Sequence, residues 1–281
     1  MSITTFIPEV WSARLLDNLN KNLVFANLVN RDYEGEIKQY GDKVHINSLN
    51  EITTKTYTRN TDIDAPEELT TAEQMLEINQ GDYFNIGIDD VDRVQARAEL
   101  MDKAMANASY KLAEKVDTYI GGLLKEGKLK DGLGADGSAI VINKENAYEF
   151  LVKMRTVLDK GNVPKQGRWV VLPPEFEGFM LLDPRFAYNT GASESRLLNG
   201  SVGRAAGFDI YISNNVPNSS NEYKIIGSYN GSCTYANQII KTEAYRPEKR
   251  FSDAVKGLNI YGGKVTRENA IAVGTVKFQG E

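Results

Sequence analysis

At 281 residues, 41% apolar and 25% charged, the chain is long enough to bury a substantial core and too apolar to be a disordered polymer. A net charge of −5 excludes a global polycation that seeks nucleic acid, and a single cysteine excludes an intrachain disulfide framework and fits a reducing cytoplasm. With one histidine (His45) and one cysteine (Cys233) there is no ligand set for a His/Cys zinc site and only one base for a Ser/His/Asp or Cys/His machine, so carboxylate or lysine chemistry alone stays open.

The opening MSITTFIPEVWSARLL lacks the basic start and continuous apolar core of a signal peptide, and no apolar run approaches the ~20 residues that span a bilayer, so no membrane partner is expected. From Pro8, apolar residues recur at helical spacing (Trp11, Leu15, Leu19, Leu23) and predict an amphipathic segment ending near Asn30. Either it is a core helix, or it is an arm that packs on a neighbouring subunit, since nothing local obviously covers its face. Gly41-Asp42 then reads as a turn, with a strand leaving it through Val44, Ile46 and Leu49. His45 in this alternating run is expected to be an ordinary strand residue. Thr53 to Thr58 continue β-rich and polar, as in an exposed hairpin. Between Thr61 and Asp92 stand ten acidic residues and no lysine or arginine, which reads as a solvated face or a docking surface for a basic partner.

A long helix comes next. Asp89 and Asp90 are expected to cap it, and apolar or small residues recur from Val91 through Met105, Leu112, Val116 and Tyr119 to Leu123, with a stop at Gly127. At 1.5 Å per residue, ~35 residues make a rod of about 50 Å, well beyond the usual helix of about 11–12 residues. The DDVD at its start is better explained by capping than by metal binding. KLKDGLGADGSAIVIN is turn material without the alternating acids of an EF-hand. A second helix is expected from a cap at Asn143 to Gly161, then a buried strand at Arg168–Leu172, a short helix in PPEFEGFMLL, and strands in TYANQII, LNIYGGKV and AIAVGTVKF. From Lys241 to Arg267 seven basic residues face three acidic ones, reversing the earlier asymmetry, and the last strands are expected to return along the rod.

The segment NGSVGRAAGFDIYISNNVP (Asn199 to Pro217) raises the question of a phosphate loop. Such a loop needs glycines that come after a strand and open a helix, so that N–H groups converge on the anion. Here the spacing is GxxGxxxG, the Walker lysine is missing, and the residues after Gly207 alternate with period two, as a strand does. The glycines instead permit tight turns and positive φ ahead of it.

That segment, with FIPEVWSARLLDNLNKNLVFANLVNRDYEGEIKQYGDKVHI, IDDVDRVQ, LLDPRF and RPEKRFSDAVKGLNIYGGKV, resembles the major capsid (coat) proteins of tailed bacteriophages, of the Hong-Kong-ninety-seven-like fold. The fragments lie over nearly the whole chain in the family's order. The resemblance implies an α+β architecture: an N-terminal arm (1–43), an extended β-hairpin loop (44–88), a peripheral domain on a long spine helix (89–130), an axial α/β domain (131–240), and C-terminal strands returning to the peripheral domain (241–281). It implies no catalysis, no metal and no cofactor. The chain would self-assemble into hexamers and pentamers of an icosahedral head, in the host cytoplasm, around packaged double-stranded DNA held by non-specific contact. A portal protein and, since little chain precedes Phe6, a separate scaffolding protein are the expected partners.

The oversized rod and uncovered arm would find partners on neighbouring subunits. The candidate intersubunit residues are Trp11 of the arm, Lys55 and Arg59 near the loop tip, Asp62, Asp64, Glu67 and Glu68 of the acidic window, Arg204 among the glycines, and Arg246, Lys249 and Arg250, with Lys256, of the basic segment. Three readings compete: an encapsulin-like compartment shell with the same fold, an enzyme using carboxylates, for which no paired constellation stands out, and a tail-tube or other virion subunit, which a ~50 Å helix suits poorly.

Overall fold

A computed structural model describes residues 23–34, 40–49, 56, 59, 62, 71–89, 99–183, 203–249 and 252–279. In chain order the elements are α1 (Phe25–Leu28), β1 (Lys43–Leu49), β2 (Thr71–Glu77), β3 (Gln80–Asp89), α2 (Glu99–Leu124), β4 (Ile140–Ile142), α3 (Ala147–Lys160), β5 (Arg168–Leu172), α4 (Pro174–Leu181), β6 (Arg204–Ala205), β7 (Phe208–Ile212), β8 (Asn218–Ser219), β9 (Glu222–Tyr229), β10 (Cys233–Tyr245), β11 (Ser252–Val265) and β12 (Ala272–Phe278).

The sequence RWVVL of β5 offers no polar face beyond its arginine, and a strand of that composition must be covered on both sides. All five residues are buried. β5 lies inside a seven-stranded mixed sheet ordered β4-β12-β9-β5-β7-β6, with β8 also paired to β9. Val170 and Leu172 join one apolar cluster with Phe150, Leu151, Met154 and Leu158 of α3 and Phe176 and Met180 of α4. Trp169 and Val171 point the other way, into a second cluster with Val116, Ile120 and Leu124 of α2 and Phe25 of α1. Ile225 and Ile226 of β9 divide between the same two clusters. The buried Arg168 is held by the Pro164 and Val163 carbonyls at 2.8 and 2.6 Å and by the Asp159 carboxylate at 2.8 Å.

The second helix forms as the sequence predicts but starts later. Asn146 is its N-cap, while Asn143 makes an Asx turn just ahead, its Oδ1 accepting from the Glu145 and Asn146 amides. The expected end at Gly161 holds. In the glycine segment Gly203 and Gly207 take φ of +63° and +85°, and β7 begins directly after them, parallel to β5. Residues 199–202 lie outside the described part.

Two corrections concern the rest of the chain. The loop 44–88 does not go as one two-stranded hairpin. β1 pairs antiparallel with β2, and the hairpin closes where the Gly41 amide donates to the Ile78 carbonyl and the Ile78 amide to Asp42; β3 then leaves to pair with β11. The reason lies in β3's alternation: Asp82 and Phe84 turn toward α2, which the hairpin does not offer. Asp89 is the last residue of β3. The described helix α2 runs 26 residues from Glu99, about 39 Å, and Asp90 with the expected first turns lies outside the described residues. Finally, residues 241–281 do not return as one piece. β10 and β11 do pack along α2 with β3 in a three-stranded sheet, yet β10 runs on through position 240 with only a shift of register between Ile239 and Lys241, and β12 enters the seven-stranded sheet between β4 and β9. AVGTVKF is nearly all buried, which suits an interior strand and not an exposed return.

Candidate functional site

Among the described residues no three His, Cys, Asp or Glu side chains converge as a metal site requires. His45 is exposed on β1, and Cys233 is buried, its thiol pushed up to about 12 by desolvation, the opposite of what a nucleophile needs. An open groove of about 450 Å³ between β3, α2 and β11 is lined by Gln80, Asp82, Lys115, Tyr119 and Tyr261 among others. Its polar groups are already engaged. Lys115 Nζ donates to Asp82 Oδ1 at 2.7 Å, and the Tyr261 hydroxyl donates to Asp82 Oδ2 at 2.8 Å. Tyr119 stands edge-on to Tyr261 at 5.4 Å, and burial together with the Asp82 charge holds the Tyr261 phenol above its ordinary range. This is a clasp joining strand to helix.

The face of the three-stranded sheet turned away from α2 is different. At one end it is covered by the hairpin base, where Val44, Ile46, Leu76 and Ile78 pack on Ala236 and Ile260. At the other end Tyr83 and Leu258, opposite each other in register, are 77% and 38% exposed. Beside them Asn85 and the Tyr245 hydroxyl bond at 2.8 Å, Lys256 pairs with Glu243 at 3.2 Å, and its ammonium lies 5.1 Å from the Tyr245 ring. An aromatic and a branched aliphatic side chain set in a polar rim is the composition of an interface core.

The candidate contact residues are scattered over the surface. Arg59 and Asp62 are exposed; Arg246 and Lys249 are exposed on the turn between β10 and β11. Arg204 is exposed and pairs with Asp209 across the β6–β7 register at 3.4 Å. Lys256 and Asp82 are likewise engaged within the chain by Glu243 and Lys115. Trp11, Lys55, Asp64, Glu67, Glu68 and Arg250 lie outside the described residues.

One residue that pattern reading passes over is Asp117. It is fully buried on α2, where it sits among Ala113, Val116 and Ile120. The Val24 and Ala26 amides at the start of α1 donate to its Oδ2 and Oδ1 at 2.8 and 3.3 Å, with the Phe25 amide and the Asn215 side chain also bonded to it. The carboxylate thus serves the helix N-terminus that Val24 itself leaves uncapped. Burial pushes its pKa up to about 6, against the pull of those bonds. The readable signal is an acid within the apolar stripe of a helix.

Comparison with known proteins agrees with this geometry. A family model described as phage capsid protein matches residues 72–274, most of the chain. The chain belongs to that family. A solved structure titled Mycobacterium phage Che8 aligns at 30% identity with a TM-score of 0.72, over 92% of this chain and 91% of that one. The capsid structure of the cyanophage P-SCSP1u aligns at 14% identity and TM-score 0.67, over 92% and 89%. A virus-like particle from Pyrococcus furiosus aligns at 12% identity and TM-score 0.55, over 95% and 98%. No curated protein sequence matches. The chain is a structural capsid protein with the α+β Hong-Kong-ninety-seven-like fold, and its α2 is a spine on which residues of both sheets pack.

Proposed function

We propose that this capsid protein assembles into hexamers and pentamers that close an icosahedral head around packaged double-stranded DNA, inside the host cytoplasm. A separate scaffolding protein and a portal protein would direct closure. The observation that carries the reading is the uncovered Tyr83–Leu258 face on a chain whose family is established. A large exposed aromatic beside an aliphatic side chain suits a surface that another copy covers, and a closed symmetric shell multiplies many weak contacts. Among the sequence candidates, Arg246, Lys249 and Arg250 remain the cations proposed to meet the acidic 61–92 window of a neighbour, with Arg59 and Lys55 as further contributors. Trp11 is proposed to anchor the arm on the next subunit.

Electron microscopy of the expressed chain, alone and with a scaffolding partner, tests the reading. Closed polyhedral shells are expected; tubes would favour a tail protein, and a persistent monomer in both samples would remove the proposal. Shells holding protein cargo and no nucleic acid would move it to a compartment shell. Reversing the charges at Arg246, Lys249 and Arg250 is expected to lower shell yield more than monomer stability, and an unchanged yield at moderate salt would eliminate that pairing.

A further inference from the structure

Three bodies meet at one turn of the spine. The first is the segment Leu23–Asn30, whose far end is tied to the three-stranded sheet: the Asn30 amide donates to the Cys233 carbonyl at 3.0 Å, and the Tyr235 amide to the Asn30 carbonyl at 2.9 Å. The second is the loop 213–217, which rides with the seven-stranded sheet. The Ser213 amide donates to the Leu172 carbonyl at 3.0 Å, and the Pro217 carbonyl accepts from the Lys224 amide at 2.8 Å. The third is α2 itself.

Two spine residues one turn apart receive both of the others. Asp117 takes the Val24, Phe25 and Ala26 amides from one side and the Asn215 side chain from the other. Gly121 receives both rings: a Cβ there would stand 3.2 Å from Pro217 Cγ and 3.6 Å from Phe25 Cε2. With no side chain at 121 and a single carboxylate at 117, the segment and the loop share one socket. Neither can move without changing what the other rests on.

We propose that Asp117 and Gly121 form a coupling joint, through which the placement of residues 23–28 depends on where the 213–217 loop of the seven-stranded sheet sits against the spine. The joint is built to let go. An ionised carboxylate with no exposed surface is costly unless every bond to it is made, so losing one donor weakens the hold on the rest. Burial holds the phenol of Tyr235, on β10, well above its ordinary range, with Arg31, Glu34, Tyr261 and Asp117 as weaker influences. The charge of Asp117 is met by N–H groups.

Hydrogen exchange on the intact chain tests the joint from a distance. Asn215→Ala removes a contact on the loop alone, and Gly121→Ala pushes a methyl against Pro217 and Phe25. Each is expected to lower protection of the Val24, Phe25 and Ala26 amides about tenfold, the size of one hydrogen bond to a charged group. In the reverse direction, Phe25→Ala is expected to lower protection of the Asn215 amide, because coupling of this kind is reciprocal. The β12 amides serve as the reference for a folded chain, and Asn215→Ser replaces Asn215→Ala if that reference is lost. If both variants keep β12 protected and leave residues 24–26 within about twofold of the parent chain, the segment and the loop are independent and the joint does not exist.

Discussion

The two sheets of this protein bury their faces to different degrees. The seven-stranded sheet is covered on both sides, by α3 and α4 on one and by α1 and the spine on the other, so Trp169, Val170, Val171 and Leu172 vanish into two cores in alternation. The three-stranded sheet is covered on its spine face apart from the groove at Asp82 and Tyr119, and only in part on the other. It also holds Asn237 and Asn259, buried with neither amide atom hydrogen-bonded, and Thr242 with an unpaired hydroxyl. Arg168, by contrast, the buried cation of the larger sheet, is held by two carbonyls and a carboxylate. One sheet is closed on both faces by its own chain, with the Trp169 indole N–H left unpaired in its core. The other has surface and polar groups left over, and leftover surface is what a shell subunit must offer its neighbours.

Substitutions can press on that contrast. Trp169→Ala should cost about 3–5 kcal/mol in denaturant unfolding, since it empties a core enclosed on both sides. A loss below about 1 kcal/mol would mean that this sheet is less closed than its geometry states. The pH response of Asp117 comes next. Its folded value of about 6 lies above the ordinary 3.8, so its favourable contribution is complete below about pH 4 and fades as pH rises through 6. The unassembled chain should therefore be less stable at pH 8 than at pH 5 by about 1 kcal/mol on this account, and Asp117→Asn should flatten that difference. Asn259→Leu, which removes an unpaired amide at similar volume, should leave stability unchanged or raise it by up to about 1 kcal/mol. A clear loss would show that the amide has a partner in solution, such as a buried water. Smallest of all, Tyr83→Ser with Leu258→Ser should move monomer stability by less than about 0.5 kcal/mol while shell yield falls. A fall in stability with normal shells would reverse the roles assigned to the two sheets.

Where one segment's pattern suffices, the sequence was readable. RWVVL, FDIYIS and the long C-terminal strands announce themselves through run length and alternation, and Gly161 marks a helix end because little else does so there. The choice of partner strand was not readable. QGDYFNIGID looks like the second half of a hairpin, and only the clasp of Asp82 with Lys115 and Tyr261, residues 33 and 179 positions away, draws it to the other sheet. The surface residues suffered the same limit. Arg204 and Lys256 look like unclaimed cations in one dimension, and each turns out to face an acid across a strand pair. Asp117 escaped for the opposite reason: an acid in a long helix reads as solvated until the start of α1 is found lying across it.

The place of β12 bears on when a subunit becomes usable. It is the last strand described, yet it sits inside the larger sheet, between β4 and β9, and its edge also receives the 129–133 stretch that leaves the spine. A chain emerging from the ribosome can form the hairpin and the spine, but β4 stays apart from the rest of the larger sheet until residues 272–278 have been made. A subunit cut before residue 272 thus lacks the strand that ties β4 and the 129–133 stretch to β9.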